Sequence, residues 1–294
     1  MAKKALIFGS RGQLGVELVR EFSSRGWQVT ARKRGDVDIT DSAQVEQSIA
    51  TLAPDVVLNS AAYNQVDLAE REPQAALLVN ALAVRNLALA CRQTDALLVH
   101  FSTDYVFDGA AGRSYVETDA VHPLGAYAVS KLAGELYAQA YLDRPLIVRT
   151  SGVFGPGALY TATGNFIETM LRLARERGSL QVVEDHVASP TYSPALASRT
   201  ADLVEKGLRG VFHIGGGTPI SWFDYAKLIF RLAGLSPQLK PTDERQYRTA
   251  ARRPKYSALS NAKMEAAGLH AMPTMEAAVA SYLEQRQRLM PVTA

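Results

Sequence analysis

The amino-acid sequence predicts an α/β fold, a Rossmann-type doubly wound parallel sheet with a smaller C-terminal substrate-binding lobe. In the first half of the chain, short apolar runs alternate with helical patterns, which is typical of right-handed βαβ units. Glycines and polar residues also cluster directly after these apolar runs, at the edge where parallel sheets bind their ligands. We therefore expect helices on both faces of the sheet and a ligand site beyond the ends of its strands.

Each predicted strand is a short apolar run, and each predicted helix carries apolar residues three or four positions apart. The strands of the first half are expected at residues 5–8, 27–30, 56–58, 96–101 and 146–149. The helices between them are expected at residues 13–25, 41–52, 73–94 and 127–141. Asp41 is a suitable N-cap for the second helix, because its carboxylate accepts hydrogen bonds from free backbone N–H groups.

The pattern changes after about residue 150, where Gly, Thr and Pro interrupt the chain. A basic amphipathic helix is expected at residues 166–178, and another helix at about residues 221–232. We predict an NAD(P)-binding Rossmann domain at residues 1–150, to which later segments return. Residues 151–294 are predicted to form mainly a substrate-binding lobe.

The composition is that of an ordinary globular protein, with 47% hydrophobic and 21% charged residues among 294. A net charge of +3 is too small to indicate a nucleic-acid partner, although it suits an anionic small ligand. The single cysteine, Cys91, excludes an internal disulfide and fits a reducing compartment, and the five histidines have no metal-ligand spacing. No apolar run approaches the roughly 18 residues of a membrane-spanning helix, so we expect a cytoplasmic protein without a membrane partner.

The first strand runs into a glycine loop, in which Gly9, Gly12 and Gly15 are spaced by three residues. Such a loop between a strand and a helix is typical of dinucleotide binding. Gly9 allows the tight turn, Gly12 lets the backbone approach a pyrophosphate, and Gly15 permits close packing of the helix on the strand. The N-terminus of the helix then favours the anionic ligand.

The residues after the second strand indicate which cofactor the chain prefers. NAD sites usually place a carboxylate there against the ribose, but this chain has Arg32 and Lys33. Both cations can hold a 2′-phosphate, so we expect NADPH in preference to NADH. Asp38 and Ile39 follow shortly afterwards and are expected beside the adenine.

A candidate reaction centre follows the fourth strand. Tyr127 and Lys131 are four residues apart and share one face of a predicted helix, and Thr103 lies just past the predicted end of that strand. The ammonium and an oxidised nicotinamide both favour phenolate, so we expect them to lower the pKa of Tyr127 from roughly 10. Tyr127 would then protonate a carbonyl oxygen as hydride reaches the carbon, while Lys131 holds the nicotinamide ribose and Thr103 hydrogen-bonds the same oxygen.

Together these features resemble the extended short-chain dehydrogenase/reductase family and, within it, the dTDP-4-dehydrorhamnose reductases. The resemblance covers nearly the whole chain, and the run Ser-Thr-Asp-Tyr-Val-Phe at residues 102–107 is a specific part of it. The segments that carry the resemblance are residues 59–63, 66–67, 102–109, 117–119, 127–135, 149–151, 164–166, 170–174, 189–191 and 253–254.

The resemblance implies an enzyme that reduces the C4 ketone of dTDP-4-dehydro-L-rhamnose to dTDP-L-rhamnose with NADPH or NADH. It implies that Thr103, Tyr127 and Lys131 are the catalytic group. The cofactor contacts that it implies, beside the loop glycines and the Tyr–Lys pair, are Gln13, Leu14, Asp38, Ile39, Ala62, Tyr63 and Asn64. The substrate contacts that it implies are Thr103, Asp104 and Asn165. Arg253 is expected on the diphosphate, because a closing lobe needs a fixed cation there.

One departure from the family concerns the substrate. The family has a tryptophan after Arg-Thr-Ser, where this chain has Gly152, so a large apolar wall is missing. Either an aromatic residue such as Phe154 or Tyr160 fills the space, or the substrate differs.

Other functions stay open at this point. One is a related reductase or epimerase for a different nucleotide-4-ketosugar, and another is a non-catalytic regulatory subunit resembling that of methionine adenosyltransferase. A dehydratase is disfavoured, because Tyr105 stands where its acid–base glutamate would follow Asp104. A homodimer is also left open.

Overall fold

The computed structural model describes residues 2–161, 164–246 and 248–289. Its strands are β1 (Lys4–Phe8), β2 (Gln28–Arg32), β3 (Val56–Asn59), β4 (Leu97–Thr103), β5 (Leu146–Thr150), β6 (Ser179–Val183), β7 (Val187–Ala188), β8 (Gly210–His213), β9 (Ile220–Ser221) and β10 (Gln238–Thr242). Its α-helices are α1 (Gln13–Ser24), α2 (Ser42–Leu52), α3 (Val66–Ala69), α4 (Pro73–Leu77), α5 (Ala83–Thr94), α6 (Ala126–Tyr141), α7 (Phe166–Glu176), α8 (Ser193–Glu205), α9 (Trp222–Leu232), α10 (Ala262–Ala266) and α11 (Met275–Leu289). A π-helical turn, Leu78–Leu82, joins α4 to α5, and short 3-10 helices lie at Asp104–Val106 and Pro156–Tyr160.

Six parallel strands form the central sheet in the order β2-β1-β3-β4-β5-β8, which confirms the predicted fold class. The strand order reverses at β1, which pairs with both β2 and β3, so a crevice opens beyond the ends of these strands. Ala5 and Ile7 of β1 face one apolar core, and Leu6 and Phe8 face the other. The strand is apolar throughout because a parallel sheet is covered on both faces.

Helices cover both faces of the sheet. On one face α1 packs against α8, and their shared core includes Leu18, Phe22 and Leu196. On the other face lie α2, α5 and α6. Both β8 and α8 come from beyond residue 150, so later segments do return to the sheet. The division of the chain at residue 150 itself stays a prediction.

The lobe is built from α7, α9 and α11 with two small sheets, β6 paired with β10 and β7 paired with β9. Phe154, Tyr225 and Tyr282 are large, fully buried side chains at its centre. The predicted lobe helices are present as α7 and α9. Helices α8 and α11 were not predicted.

One stretch, Pro73–Thr94, is long and apolar enough to cross a membrane by length and composition alone, with a mean hydropathy of 1.4. The expectation that no stretch reaches that length is therefore wrong. Half of the stretch is buried in the fold, where α5 packs against α2 and α6. Packing in the helical layer accounts for the apolar residues of the buried half, whereas Leu78 and Leu82 are each 44% exposed.

The π-helical turn brings α6 unusually close at Gly134. A Cβ atom at this position would lie 2.2 Å from the carbonyl oxygen of Asn80 and 3.3 Å from a methyl carbon of Val84. Backbone atoms cannot yield in the way that a flexible side chain does. A glycine is therefore required here although it lies within a helix.

We expect Gly134→Ala to lower the free energy of unfolding by about 1–3 kcal/mol, because the added methyl group forces two packed helices apart. Urea denaturation followed by circular dichroism measures the change. Gly178→Ala is the matched control, since a Cβ at Gly178 would meet nothing within 4 Å. Equal stabilities of the two variants would contradict the close approach of α6 to the π-helical turn.

Candidate active site

The glycine loop has the geometry of an anion-binding cradle. Gly9 has a φ of +76°, and a Cβ there would lie 2.5 Å from the backbone nitrogen of Ala61. A Cβ on Gly15 would lie 2.1 Å from the carbonyl oxygen of Gly9. No side chain caps the N-terminus of α1, which begins at Gln13. Its first N–H groups therefore point towards the crevice without a side-chain acceptor.

A groove of about 580 Å³ runs along this edge of the sheet. Most of the residues predicted to contact the cofactor line it, namely Gly9, Gly12, Gln13, Leu14, Asp38, Ile39, Ala62, Tyr63, Asn64, Tyr127 and Lys131. Lys33 and Arg34 line it as well and supply positive charge. The cradle and these two cations fit a phosphorylated dinucleotide.

Two predicted cofactor residues are not in the lining of the groove. Gly15 packs beneath the loop against Gly9. Arg32 supports the loop through its backbone, because its carbonyl oxygen accepts a hydrogen bond of 3.2 Å from the N–H of Ser10. Arg34, which the sequence analysis did not single out, lies beside Lys33 in the groove instead.

The three predicted catalytic residues meet where β4 ends and α6 begins. The Nζ of Lys131 donates a hydrogen bond of 2.6 Å to the carbonyl oxygen of Phe101. The Thr103 side chain accepts a hydrogen bond of 3.2 Å from the N–H of Tyr105, and Tyr127 lies within hydrogen-bonding reach of Thr103. Tyr127 and Lys131 both line the groove, so a ligand there would reach them.

Burial governs the protonation of this centre. Burial raises the pKa of Tyr127 to about 12, and the nearby Asp104 carboxylate raises it further. A hydrogen bond with Thr103 has the opposite effect and lowers this pKa. Burial also lowers the pKa of Lys131 to about 8, while Glu135 raises it. The expectation that Lys131 makes the phenol acidic is therefore wrong for the protein without a ligand. Tyr127 is a neutral phenol, the form that can donate a proton.

Asp104 was expected to contact the substrate, but its carboxylate is buried among hydroxyl groups. It accepts hydrogen bonds of 2.6 Å from Ser257, 2.8 Å from Ser151 and 3.1 Å from Thr103. Burial raises the pKa of Asp104 to about 6 against the lowering effect of these bonds. Its position ties the end of β4 to the C-terminal segment.

A second cavity, of about 370 Å³, lies between the sheet and the lobe. Its polar lining includes Asp67, Tyr105, His186 and Arg253, and its apolar lining includes Phe166, Met170, Leu173, Val182 and Trp222. The ring of Tyr105 meets that of Tyr127 edge-on, with 6.2 Å between the ring centroids. The cavity therefore adjoins the reaction centre.

Arg253 lines the second cavity but is already paired. Its Nη2 lies 2.7 Å from Oδ2 of Asp67, and its Nη1 donates a 3.1 Å hydrogen bond to Oδ1. Asn165 lines neither cavity. Its side chain caps α7 through the N–H of Glu168 and donates a 3.1 Å hydrogen bond to Gln13, so it connects the lobe to the glycine loop.

The side chain that faces Gly152 comes from a distant part of the chain. Gly152 has a φ of +47°, and a Cβ there would lie 3.4 Å from the outer ring of Trp222. Neither predicted substitute fills this space, because Phe154 is buried in the lobe core and Tyr160 is 68% exposed. No local pattern in the sequence indicates this contact, since 70 positions separate the two residues.

His186 is a second residue that sequence reasoning missed. It lines the second cavity, and its Nε2 has no hydrogen-bond partner within the part of the chain that the structure describes. The N–H of Trp222 donates a 3.2 Å hydrogen bond to the carbonyl oxygen of His186, and both residues line the second cavity. Across the described ranges, no group of three His, Cys, Asp or Glu side chains is placed to hold a metal ion.

Comparison with known proteins gives consistent results. The family model of the RmlD substrate binding domain matches residues 3–288. A spore coat polysaccharide biosynthesis protein, SpsK, of Bacillus subtilis is 36% identical over 96% of this chain and 98% of its own. The dTDP-4-dehydrorhamnose reductase of Streptomyces griseus is 38% identical over 93% of this chain and 91% of its own. A crystal structure of dTDP-4-dehydrorhamnose reductase from Bacillus anthracis in complex with NADP superimposes with a TM-score of 0.92, at 34% identity over 97% of this chain and 100% of that one.

The buried Asp104 predicts a pH dependence of stability. Its pKa of about 6 lies above the roughly 3.9 of an unfolded aspartate, so the folded protein binds the proton more tightly. The folded protein is stabilised fully below about pH 4. As the pH rises through 6, the free energy of unfolding falls by about 3 kcal/mol at most. Unfolding with urea at pH 4 and pH 7 measures this change. The fall in the free energy of unfolding between the two pH values should be present in the wild type and absent in Asp104→Asn.

Asp119 provides a control of opposite sign. Its hydrogen bond with Arg113 lowers its pKa to about 2, so its stabilisation is lost as the pH falls. The effect of Asp119→Asn should therefore be nearly the same at pH 7 and pH 4 and should fall only between about pH 4 and pH 2. An effect of Asp104→Asn that is the same at both pH values would contradict the buried carboxylate.

Proposed function

The chain belongs to the family of the RmlD substrate binding domain, and from this membership we propose that it reduces the C4 ketone of dTDP-4-dehydro-L-rhamnose to give dTDP-L-rhamnose. The chain is an NADP-dependent oxidoreductase with a Rossmann-type fold. One observation carries the proposal for the reaction: Tyr127 and Lys131 line the dinucleotide groove, and the ring of Tyr127 meets that of Tyr105, which lines the second cavity. A carbonyl group held at that junction lies beside both a proton donor and a hydride donor.

NADPH supplies the hydride when it is bound. The free N–H groups of α1 bind its pyrophosphate, and Lys33 and Arg34 bind its 2′-phosphate. Lys131 holds the nicotinamide ribose. The neutral phenol of Tyr127 donates its proton to the C4 oxygen as the hydride reaches C4, so the ketone gains one hydride and one proton. The hydroxyl of Thr103, which donates to Asp104 in the structure, turns its proton to the same oxygen and stabilises its developing charge.

The second cavity suits the rest of a nucleotide-sugar. Its wall beside Trp222 and Phe166, whose ring centroids are 4.7 Å apart and whose planes are tilted by 60°, offers an apolar aromatic surface for the base. Arg253 offers charge for the diphosphate at the cost of its pairing with Asp67. Trp222 supplies an indole at Gly152, which supports the same substrate class as the family despite the glycine.

A dehydratase is less well supported by the site. Elimination of water needs a second acid–base carboxylate. Among the residues that the structure describes, the carboxylate beside Thr103 is that of Asp104, and three hydroxyl groups hold it. A cytoplasmic location remains part of the proposal, because Cys91 is buried and unpaired, as in a reducing compartment.

A coupled assay tests the function. Supplied with dTDP-4-dehydro-L-rhamnose made enzymatically from dTDP-glucose, the protein should consume NADPH and release dTDP-L-rhamnose, identified by chromatography. Tyr127→Phe should lower kcat about 10²-fold or more and leave NADPH affinity unchanged, because a positioned proton donor is lost. Tyr160→Phe is the control, since Tyr160 is exposed outside both cavities. No turnover by the folded wild type would refute the substrate.

The role of Trp222 is tested separately. Trp222→Ala should raise the Kd for dTDP about tenfold or more while changing kcat far less, because a base-stacking surface is worth about 1–3 kcal/mol. Trp27, the other tryptophan of the sequence, packs on Phe22 at α1, so Trp27→Phe is the matched control. In that control variant, dTDP should quench the remaining indole fluorescence. Unchanged dTDP affinity in Trp222→Ala would place the base elsewhere.

A further inference from the structure

Three side chains of α6 face the end of β4. Tyr127, Lys131 and Glu135 are spaced by four residues, so they lie along one face of the helix. The first reaches Thr103, and the second donates its hydrogen bond to the carbonyl oxygen of Phe101. The third, which the mechanism does not use, accepts a short hydrogen bond from the hydroxyl of Ser102. Helix α6 thus contacts three successive residues of β4.

Glu135 also binds a cation from the next strand. The Nη2 of Arg149 lies 2.7 Å from its Oε2, and the Nε of Arg149 lies 3.0 Å from its Oε1. Ser102 and Arg149 are register partners across β4 and β5, so both side chains reach Glu135 from the same face of the sheet. Glu135 and Arg149 are only 1% and 5% exposed.

The carboxylate of Glu135 is paired with Arg149. It also acts through space on Lys131, which lies one helical turn away and is bonded to the Phe101 carbonyl. The other titratable groups that face Lys131 are uncharged: Tyr127 is a neutral phenol, and burial holds the pKa of His100 on β4 well below its usual range. Glu135 therefore decides how much negative charge Lys131 experiences.

We propose that Glu135 is a positioning residue for the reduction: it keeps Lys131 in its charged form and fixes the face of α6 against the end of β4. Arg149, which is paired with the same carboxylate, offsets part of the negative charge that acts on Lys131. The alternative is a purely structural ion pair that joins α6 to β5. The two differ because only the first changes the titration of Lys131.

The test compares two variants that should shift Lys131 in opposite directions. Glu135→Gln removes the anion and leaves Arg149 as an unpaired cation, so Lys131 should lose its proton at a pH about one unit lower or more. Arg149→Met removes the cation that offsets the charge of the Glu135 carboxylate, so Lys131 should lose its proton at a higher pH than in the wild type. Damage to packing alone does not produce shifts of opposite sign.

Two readouts follow the titration. The first is NADPH affinity against pH, measured by the fluorescence of the reduced nicotinamide, because Lys131 holds its ribose. The second is the alkaline limb of kcat/KM, which rests on the proposed function. If the wild type binds NADPH but does not reduce the ketosugar, the proposed function fails while the affinity profile still tests Glu135.

Glu17→Gln is the matched control, since Glu17 is a buried glutamate paired with Arg20 on α1, outside this cluster. It should leave both pH profiles unchanged. Removing one partner of a buried ion pair is strongly destabilising, so the double variant Glu135→Gln/Arg149→Met provides a second test with the pair removed together. In the double variant, the alkaline limb of the kcat/KM profile should lie between those of Glu135→Gln and the wild type.

The proposal predicts that the pH at which Lys131 loses its proton shifts in opposite directions in the two single variants. If Glu135→Gln does not fold, this pH should be higher in Arg149→Met than in the wild type, and lower in the double variant than in Arg149→Met. Profiles that coincide with the wild type in the folded variants overturn it, and so do shifts of the same sign in both single variants. Either result would leave the Glu135–Arg149 pair as a structural bridge between α6 and β5.

Discussion

The contact between helix α6 and the end of strand β4 is the constraint on which the candidate site depends. The ammonium of Lys131 is almost wholly buried, and its hydrogen bond to the Phe101 carbonyl fixes the helix along the strand. A buried ammonium without a partner is costly, so this bond has few alternatives. With Lys131 placed in this way, Tyr127 is set one turn earlier, beside Thr103. The π-helical turn and Gly134 support the same contact from behind, because they let α6 approach α5 closely.

Burial, more than direct pairing, sets the chemistry of the residues at this contact. Tyr127, Asp104 and Lys131 all have displaced pKa values, and in each of them burial is the largest cause. In every case the uncharged form is favoured. For a reduction this is useful, because the phenol must hold a proton before it can donate one. Charged neighbours change these pKa values less than burial does.

The parts of the molecule that sequence analysis predicted are those with local causes. The glycine loop, the strand that precedes it and the helix that follows it lie within some 20 residues, and their pattern is set by backbone geometry. The missed parts depend on contacts between distant segments. Trp222 reaches Gly152 across 70 positions, and Asp67 engages Arg253 across 186. Arg34 instead of Arg32 lines the groove, because β2 ends at Arg32 and the chain turns after it.

The lobe is joined to the sheet by polar contacts that lie beside the candidate site. Asp104 binds Ser257, Asp67 binds Arg253, and Asn165 binds Gln13. The apolar core of the lobe is, by contrast, a cluster separate from the two cores of the sheet. A diphosphate that engages Arg253 must compete with Asp67, which lies on α3 beyond the end of β3. If a substrate binds this guanidinium as proposed, its binding is coupled to the attachment of residues 249–255 to α3, and the new interaction is offset by the loss of an existing ion pair.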